Sequence, residues 1–407
     1  MILQNYLTES NISIVVAITA ILWGIVPAIL KYKFEKFRKK LVNVFPDKNN
    51  FHFPKIAVIM PCKGLDVSFE NNLQKVLSQS YPNWELHFSV AERTDPAYCY
   101  LEKIALNNPQ KVFLHIAGIK PGCGQKMTNM VKAIDSVSSD VEVLVFIDSD
   151  TSIHVDYLKV LVLGLYLPNV GASTGYHVFL PQGRKVGSYV RTIWALAGCL
   201  ILADESKNFS IGAATAIRKD VFEKLNIKEK LANTLSDTFV FTNTIKEAGL
   251  SVQFNPECLF ISPDDSDLKQ VSDWSDRLTL LSKTYSIEFW KLVSLSYAFA
   301  GLFYLSWILF FFLSSPFWIL TSVALAISQI IMGSLLISYT SDLLSEHYPK
   351  ESMQLRKLKW RMSVYAPLTG LLMILSTVKS IFINTTTWRG ITYKLYSKDR
   401  VEVISKF

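Results

Sequence analysis

The sequence lacks paired cysteines and is poor in charge. Its five cysteines are an odd number, and no two of them form a Cys-x-x-Cys pair. This argues against a zinc site and against a disulfide framework, and it fits a reducing compartment. Only 19% of the residues are charged and 50% are apolar, which is unusual for a purely soluble protein. The 407 residues suffice for one large or two ordinary domains.

A continuous basic face is also absent, although the net charge is +8. The positive residues lie instead beside apolar stretches. This pattern is typical of membrane orientation and of contact with anionic lipid head groups. We therefore expect the lipid bilayer, and no nucleic acid, as a partner.

The first apolar stretch predicts a transmembrane anchor. Residues 12–30 carry no charge and have about the length that spans a bilayer. Six basic residues follow between positions 31 and 40, whereas a cleaved signal peptide has its positive residues before the apolar core. The order places the basic flank in the cytosol.

Two uncharged stretches near the other end, 289–313 and 317–337, predict a helical hairpin that leaves the cytosol and returns to it. A third stretch, 364–383, contains a proline, a glycine and a lysine. If it spanned, the basic tail after it would lie outside, against the charge rule. We expect this third stretch to be re-entrant, broken or interfacial.

These stretches divide the chain into four parts. We predict an N-terminal anchor with its basic flank (1–40), a cytosolic domain (41–285), a C-terminal membrane region (286–385) and a tail (386–407). The predicted protein is a multi-pass integral membrane protein.

Strands and helices alternate in the middle part. Predicted strands are 55–60, 84–90, 112–116, 143–150 and 251–254, the last expected to be the final strand. Predicted helices are 70–79, 97–106, 127–134, 155–165 and 186–202. The helix at 186–202 is either a core helix or a helix at the membrane surface that lines an entry for a lipid. The alternation predicts a doubly wound α/β fold with a mostly parallel sheet.

Two carboxylates end the apolar run 143–150. Asp148 and Asp150 directly follow a buried strand, and ligands of open α/β sheets bind beyond the carboxyl ends of such strands. The Asp-x-Asp spacing can hold a hard divalent cation against a diphosphate. We therefore predict a nucleotide-diphosphate site here, although a lone Asp-x-Asp is more often a solvated loop or a helix cap.

Two further segments carry candidate residues. Residues 118–129 contain three glycines, Lys120 and Lys126, and they form either a phosphate-binding loop or a plain surface loop. Residues 209–217 are small, so another group can come close to their backbone. Ser236 or Asp237 is expected to cap the helix that begins there.

Six short motifs occur in order along nearly the whole chain. They are Lys63–Asp66, Glu92–Pro96, Lys126 with Asn129, Asp148–Asp150, Asp237 and Trp388–Leu395. The ordered set resembles the ceramide glucosyltransferases and their bacterial lipid-glycosyltransferase relatives, in glycosyltransferase families 21 and 2. The resemblance implies a GT-A fold, which is Rossmann-like with a mostly parallel sheet, flanked by N-terminal and C-terminal transmembrane helices.

The resemblance implies a donor site for a UDP-sugar. Asp148 and Asp150 would hold Mn²⁺ or Mg²⁺ against the diphosphate, with Lys126 nearby, and Glu92 would take the place of the carboxylate that faces the nucleotide base. The implied nucleotide-sugar-binding residues are Lys63, Glu92, Asp95, Lys126 and Asp148.

The resemblance also implies two catalytic residues. Asp237 matches the general base that takes the proton from the acceptor hydroxyl, and Arg277 matches the arginine of the family's Gln/Arg-x-x-Arg-Trp motif. The sequence departs from the family here. Trp274 and Leu278 replace the outer residues of that motif, and Ser236 replaces the usual acidic neighbour.

The implied function is an inverting glycosyltransferase that moves a sugar, glucose from UDP-glucose, to a lipid hydroxyl such as ceramide at the cytosolic membrane face. A processive polysaccharide synthase of the same fold is an alternative, but it would need a larger membrane channel and an intact Gln-x-x-Arg-Trp. A catalytically silent membrane scaffold is a third reading. The altered Arg277 motif favours it, and the presence of Asp148, Asp150 and Asp237 together opposes it. The lipid acceptor and the oligomeric state are left open.

Overall fold

A computed structural model of the chain describes residues 51–66, 68–313 and 316–406, together with residues 11, 14, 15, 18, 28, 29, 31–39 and 41. The predicted anchor at 12–30 therefore lies largely outside the described residues. Its basic flank, 31–39, is helical. Phe34 of this flank is fully buried, and its ring packs edge-on against Phe254 and Tyr339.

A seven-stranded sheet forms the centre of the molecule. Its strands are β1 (Ile56–Pro61), β2 (Trp84–Val90), β3 (Val112–Ile116), β4 (Val143–Ile147), β5 (Val170–Pro181), β6 (Ala214–Arg218) and β7 (Ser251–Asp264). They lie in the order β3-β2-β1-β4-β6-β5-β7. Only β6 runs antiparallel to its neighbours β4 and β5. The predicted α/β fold with a mostly parallel sheet is confirmed.

Parallel pairing places the ends of β1, β2 and β4 at one edge of the sheet. All three are buried along their whole length, because helices cover both faces of the sheet. The order reverses between β1 and β4, and ligands bind at such switch points. The loops that follow these strands therefore lie where the sequence predicts a site.

Nine helices pack with the sheet in the described residues between 51 and 285. They are α1 (Phe69–Leu77), α2 (Tyr98–Asn107), α3 (Gln125–Ile134), α4 (Tyr157–Leu163), α5 (Val186–Ile201), α6 (Lys219–Lys224), α7 (Ile227–Leu231), α8 (Asp237–Glu247) and α9 (Leu268–Tyr285). A 3₁₀ turn, Gly164–Tyr166, extends α4.

Two strand predictions are incomplete or wrong. β5 is absent from the predicted strands because small and polar residues dilute its apolar pattern, yet all of its residues except His177 are buried. The segment 251–254 is not the final strand. It begins β7, which continues to Asp264, and three more strands follow it along the chain.

The C-terminal apolar stretches form helices α10 (Ile287–Leu313) and α11 (Pro316–Leu344), here called the apolar hairpin. Both are long and apolar enough to cross a membrane. Helices α12 (Pro349–Ser363) and α13 (Ala366–Phe382) follow, bent by 74° against each other. The 17 residues of α13 span about 26 Å, less than the roughly 30 Å of a hydrocarbon core. The bend fits the expectation of a broken third segment.

The tail folds back onto the loops that follow β1 and β3. Strands β8 (Thr385–Trp388), β9 (Ile391–Ser397) and β10 (Arg400–Lys406) form an antiparallel sheet. Tyr393 is fully buried, and its hydroxyl accepts a hydrogen bond from the backbone N–H of Gln125 at 3.2 Å. The N–H of Val403 donates to the carbonyl of Pro121 at 2.9 Å. The tail therefore covers the glycine-rich loop.

Candidate functional site

Lys126 joins two acidic residues from separate elements. It lies in the first turn of α3, and its Nζ is 2.7 Å from Oδ1 of Asp148 and 2.8 Å from Oδ2 of Asp237. Nζ also donates a hydrogen bond to the other carboxylate oxygen of Asp148, Oδ2, at 2.8 Å. Asp148 follows the end of β4, whereas Asp237 begins α8. The structure thus brings three of the predicted site residues into contact.

The position of Asp237 depends on its helix start and on a glycine. Ser236 is the N-cap of α8, and Asp237 is the first helical residue. The N–H of Thr238 donates to Oδ1 of Asp237 at 2.8 Å, which orients the carboxylate. Gly212 lies against it, and a Cβ at this position would overlap the carboxylate. The group predicted to approach the small residues 209–217 is therefore Asp237.

The carboxylates are crowded and partly desolvated. Burial raises the pKa of Asp148 to about 6, against the opposing charge of Lys126 and with the help of Asp150 and Asp237. Burial also raises the pKa of Asp150, and the nearby Asp66 carboxylate adds to this. For Lys126, burial favours a lower pKa, but Asp148 and Asp237 outweigh it and raise the pKa. The cluster therefore favours additional positive charge.

Asp150 lies beside a second network that ties the tail to β1. Ser149 Oγ donates to Oδ2 of Asp66 at 2.8 Å. Arg389 pairs with Asp66 and donates to the carbonyl oxygen of Lys63. No hydrogen bond or ion pair reaches the Asp150 carboxylate from any residue that the structure describes. Asp150 is thus available to a ligand.

Replacing Arg389 with Gln is expected to loosen the tail sheet. A charged hydrogen bond contributes about 1.5–3 kcal/mol, so amide exchange in β9 and β10 should accelerate by roughly 10- to 100-fold. Hydrogen–deuterium exchange measures this directly. Arg400→Gln is the matched control, because Arg400 lies in the same sheet and only stacks over the ring of Tyr396. Equal exchange in both variants would show that Arg389 does not secure the tail.

The other predicted donor residues lie in the loops after β1 and β2. Asp95 Oδ1 accepts hydrogen bonds from the N–H groups of Gly64 and Ala97, both at 2.9 Å, and so joins the two loops. Glu92 is exposed, and Thr94 Oγ1 donates to it at 3.3 Å. The side chain of Lys63 is half-buried. These residues share the sheet edge with Asp148, but none of the three forms a hydrogen bond or ion pair with it.

Two arginines face the acidic cluster. Arg191 on α5 donates to Asp264 at 2.7 Å and lies over the rings of Phe179 and Trp274. Burial lowers the pKa of Arg277 to about 10, and repulsion by Arg191 adds to this, while Asp150 opposes it. No acidic partner pairs with Arg277 in the described ranges. Its charge is available to an anion.

A single cavity of about 1200 Å³ connects this cluster with the apolar hairpin. Lys126, Asp148 and Asp237 line it, and so do Trp194, Trp274 and Arg277. Residues of α10, α11 and α13 line it as well. These include Tyr297, Leu325, Gln329, Met332, Thr369 and Met373. Helix α5 is thus both a buried helix and a wall of the cavity.

Several polar atoms along the cavity are buried without a hydrogen-bond partner among the described residues. They are His177 Nε2, Trp194 Nε1, Ser294 Oγ, Gln329 Nε2 and Thr377 Oγ1. An unpaired buried polar group costs free energy, so such groups typically bind water or a ligand. The cavity therefore fits an occupant that is largely apolar and carries a few polar groups.

Sequence reasoning missed Gly212, Arg191 and the contact of Arg389 with Asp66. The run of small residues around Gly212 predicted a close approach but not its partner. Arg191 is the single charged residue of the predicted helix 186–202, but the residues around it in the sequence do not indicate that it pairs with Asp264. The Arg389 contact joins residues 323 positions apart, and local pattern gives no signal for it.

No three His, Cys, Asp or Glu side chains gather as a preformed metal site within the part of the chain that is described. The Asp150 carboxylate has no hydrogen-bond partner among the described residues, whereas Asp148 would share its carboxylate between Lys126 and a cation. Two carboxylates are sufficient for Mg²⁺ or Mn²⁺ when phosphate oxygens and water supply the other ligands. The donor set thus fits a cation that binds together with a phosphate.

Comparison with known proteins identifies the family. The model of glycosyl transferase family 21 matches residues 16–401. Among solved structures, the chain is similar to the mannosyltransferase PcManGT from Pyrobaculum calidifontis in complex with GDP-Man and Mn²⁺. The identity is 16%, the TM-score is 0.51, and the match covers 92% of this chain and 99% of that chain. This likeness confirms the predicted GT-A fold. Because the family match spans nearly the whole sequence, the chain belongs to glycosyl transferase family 21, whose members transfer sugars.

Proposed function

We propose that the protein is an inverting hexosyltransferase that moves glucose from UDP-glucose to a lipid hydroxyl such as that of ceramide. The observation that carries the proposal is the cavity, whose lining includes both Asp148 and Asp237 and residues of the apolar hairpin. A sugar nucleotide and a lipid can meet at such a place. The reaction occurs at the cytosolic face, because the basic residues of 31–40 and of α12 favour the cytosol.

On the donor side, Asp148 and Asp150 would hold a divalent cation, and Lys126 and Arg277 face the diphosphate. A cation held there would supply positive charge to the departing diphosphate. PcManGT, which has GDP-Man and Mn²⁺ bound, supports a nucleotide-sugar donor and a divalent cation for this fold. Lys63, Glu92 and Asp95 bind the nucleotide from the loops after β1 and β2.

On the acceptor side, Asp237 is the general base. The N–H of Thr238 holds one of its oxygens, and Lys126 Nζ lies 2.8 Å from the other. When a diphosphate draws Lys126 towards itself, the second oxygen of Asp237 can take the hydroxyl proton. A single displacement at the anomeric carbon requires no covalent enzyme intermediate and inverts the configuration.

This proposal includes the membrane arrangement. The division at residues 40, 285 and 385 stays as predicted, with an N-terminal anchor, a cytosolic GT-A domain, a multi-pass C-terminal membrane region and a tail. The two candidate spanning helices among the described residues support a membrane protein. The unpaired polar atoms of the cavity suit the amide and hydroxyl groups of a lipid acceptor.

The experiment that tests the proposal is a transfer assay. The purified full chain in detergent, with Mn²⁺ or Mg²⁺, receives a panel of labelled sugar nucleotides and a total lipid extract. Label from UDP-glucose is expected in one lipid class, which mass spectrometry identifies. Label from another sugar nucleotide alone would overturn the donor assignment. Nucleotide binding without any labelled lipid would overturn the lipid acceptor.

Removal of divalent cations should weaken donor binding. Without a cation, the negative charges of Asp148 and Asp150 would repel the diphosphate, and Lys126 and Arg277 alone would not neutralise them. EDTA is therefore expected to lower the affinity for UDP-glucose by at least 10-fold. Calorimetric titration before and after addition of excess Mn²⁺ measures it. The Asp150→Asn variant should show a smaller response to EDTA. Full affinity in EDTA would mean that the reaction needs no metal for donor binding.

Replacing Gln329 with Leu should weaken binding of the acceptor and leave binding of the donor unchanged. The substitution keeps the volume but removes the unpaired amide from the cavity wall, so the acceptor KM is expected to rise by about 10-fold. The donor KM should not change. Thr321→Val is the control, because Thr321 lies on the same helix outside the cavity. A change in both variants would point to a general effect on the hairpin.

A further inference from the structure

Helix α12 has one face that carries cations without partners. Lys350, Lys357 and Arg361 are spaced by seven and four residues, so they lie on the same side of the helix. All three are exposed, and none forms an ion pair with a described residue. Two neighbouring cations do have acidic partners: Arg356 pairs with Asp342, and Lys185 pairs with Asp265.

The unpaired cations line a pocket of about 720 Å³. Arg184, in the loop after β5, faces it from the other side, so four positive side chains surround one space. The lining contains no acidic residue. Gln354 also lines the pocket and donates to the carbonyl of Pro181, the last residue of β5, at 2.6 Å, which ties α12 to the end of that strand. The charged residues of the pocket lining are all positive, so the pocket fits an anion.

A second face of α12 carries exposed apolar residues beside the cations. Met353, Trp360 and Val364 are 57%, 62% and 53% exposed, and they follow the same seven-and-four spacing. Basic residues next to a Trp-containing apolar stripe are typical of helices that lie in a membrane interface. Helix α12 follows α11, a candidate spanning helix, and turns by 74° into α13. The pocket therefore lies at the edge of the membrane region.

We propose that this pocket, formed by Arg184, Lys350, Lys357 and Arg361, binds the phosphate of an anionic lipid head group, with Trp360 and its apolar neighbours against the acyl chains. This site is separate from the sugar-transfer cavity, and it does not depend on the proposed function. A bound lipid holds α12 at the bilayer surface and so restrains α13, whose residues Thr369 and Met373 line the cavity.

The test is a binding titration of the full chain in neutral detergent. The probes are dihexanoyl phosphatidylglycerol, dihexanoyl phosphatidylcholine and inorganic phosphate, each followed by calorimetry. The variant is Lys350→Gln/Lys357→Gln/Arg361→Gln. Its matched control is Lys103→Gln/Lys132→Gln/Lys224→Gln, which removes the same charge from exposed lysines elsewhere. A charge-retaining variant, Lys350→Arg/Lys357→Arg/Arg361→Lys, separates loss of charge from loss of fold.

Saturable binding of phosphatidylglycerol is expected in the parent chain, with no saturable binding of phosphatidylcholine. Each of the three cations contributes to the binding affinity for an anionic lipid. The triple Gln variant should therefore lose roughly 100-fold in affinity. The control and the charge-retaining variants should bind like the parent. Equal losses in the Gln variant and its control would reduce the effect to overall charge. Equally tight binding of inorganic phosphate would assign the site to a free anion and overturn the lipid.

Discussion

Replacing Asp237 with Asn is expected to lower kcat for sugar transfer by about 10³-fold, the middle of the range for loss of a general base. The amide keeps the size and can still accept from the N–H of Thr238, but it cannot take the acceptor proton. Lys126 keeps Asp148 as a partner, so the affinity for the donor should change by no more than about twofold.

Asp220→Asn is the control for this substitution. Asp220 also stands at a helix start, and its Oδ1 accepts from the next N–H at 2.8 Å, as in Asp237. Its side chain is 77% exposed and does not line the cavity. Transfer by this variant should equal that of the parent. Near-normal turnover by Asp237→Asn would remove Asp237 from the chemistry, whatever the control does.

Replacing Gly212 with Ala should be the second most damaging change. The new methyl group would overlap the Asp237 carboxylate, so that side chain must move. A displacement of about 1 Å at a catalytic group can cost roughly 100-fold in rate, and we expect a loss of kcat of this size. Steady-state kinetics with saturating donor and acceptor measure it.

The control is Gly122→Ala, since a Cβ there meets nothing nearer than the carbonyl oxygen of Val401 at 3.8 Å. That variant should retain parental turnover. The thermal unfolding midpoint of both variants separates a displaced carboxylate from a destabilised chain. Parental kcat in Gly212→Ala would show that the placement of Asp237 tolerates this shift.

Much of the fold could be predicted from the sequence, because its signals are local. The strands 84–90 and 112–116 have the predicted bounds, and a polar residue, Asn83 or Lys111, directly precedes each run. The two apolar stretches of the hairpin also form helices, although the second helix continues beyond the predicted residue 337 to Leu344. β5 was not predicted, because a strand buried on both faces does not require an apolar residue at every position.

The candidate site was only partly predictable. The positions of Asp148, Asp150 and Lys126 followed from a strand end, a glycine-rich loop and the resemblance to a family. The sequence did not indicate which of the predicted residues contact each other. Glu92 and Asp95 share the sheet edge with Asp148, but Asp95 joins two loops and Glu92 faces solvent.

The sequence by itself determined the alternation of strands and helices, the apolar segments and the order of the acidic motifs, because each depends on residues a few positions apart. The tertiary structure alone decided that Lys126 lies between Asp148 and Asp237, that Gly212 makes room for Asp237, and that the tail reaches β1 through Arg389. These contacts join segments distant in sequence. Their geometry is set by the packing of helices and tail on the sheet, which no local pattern records.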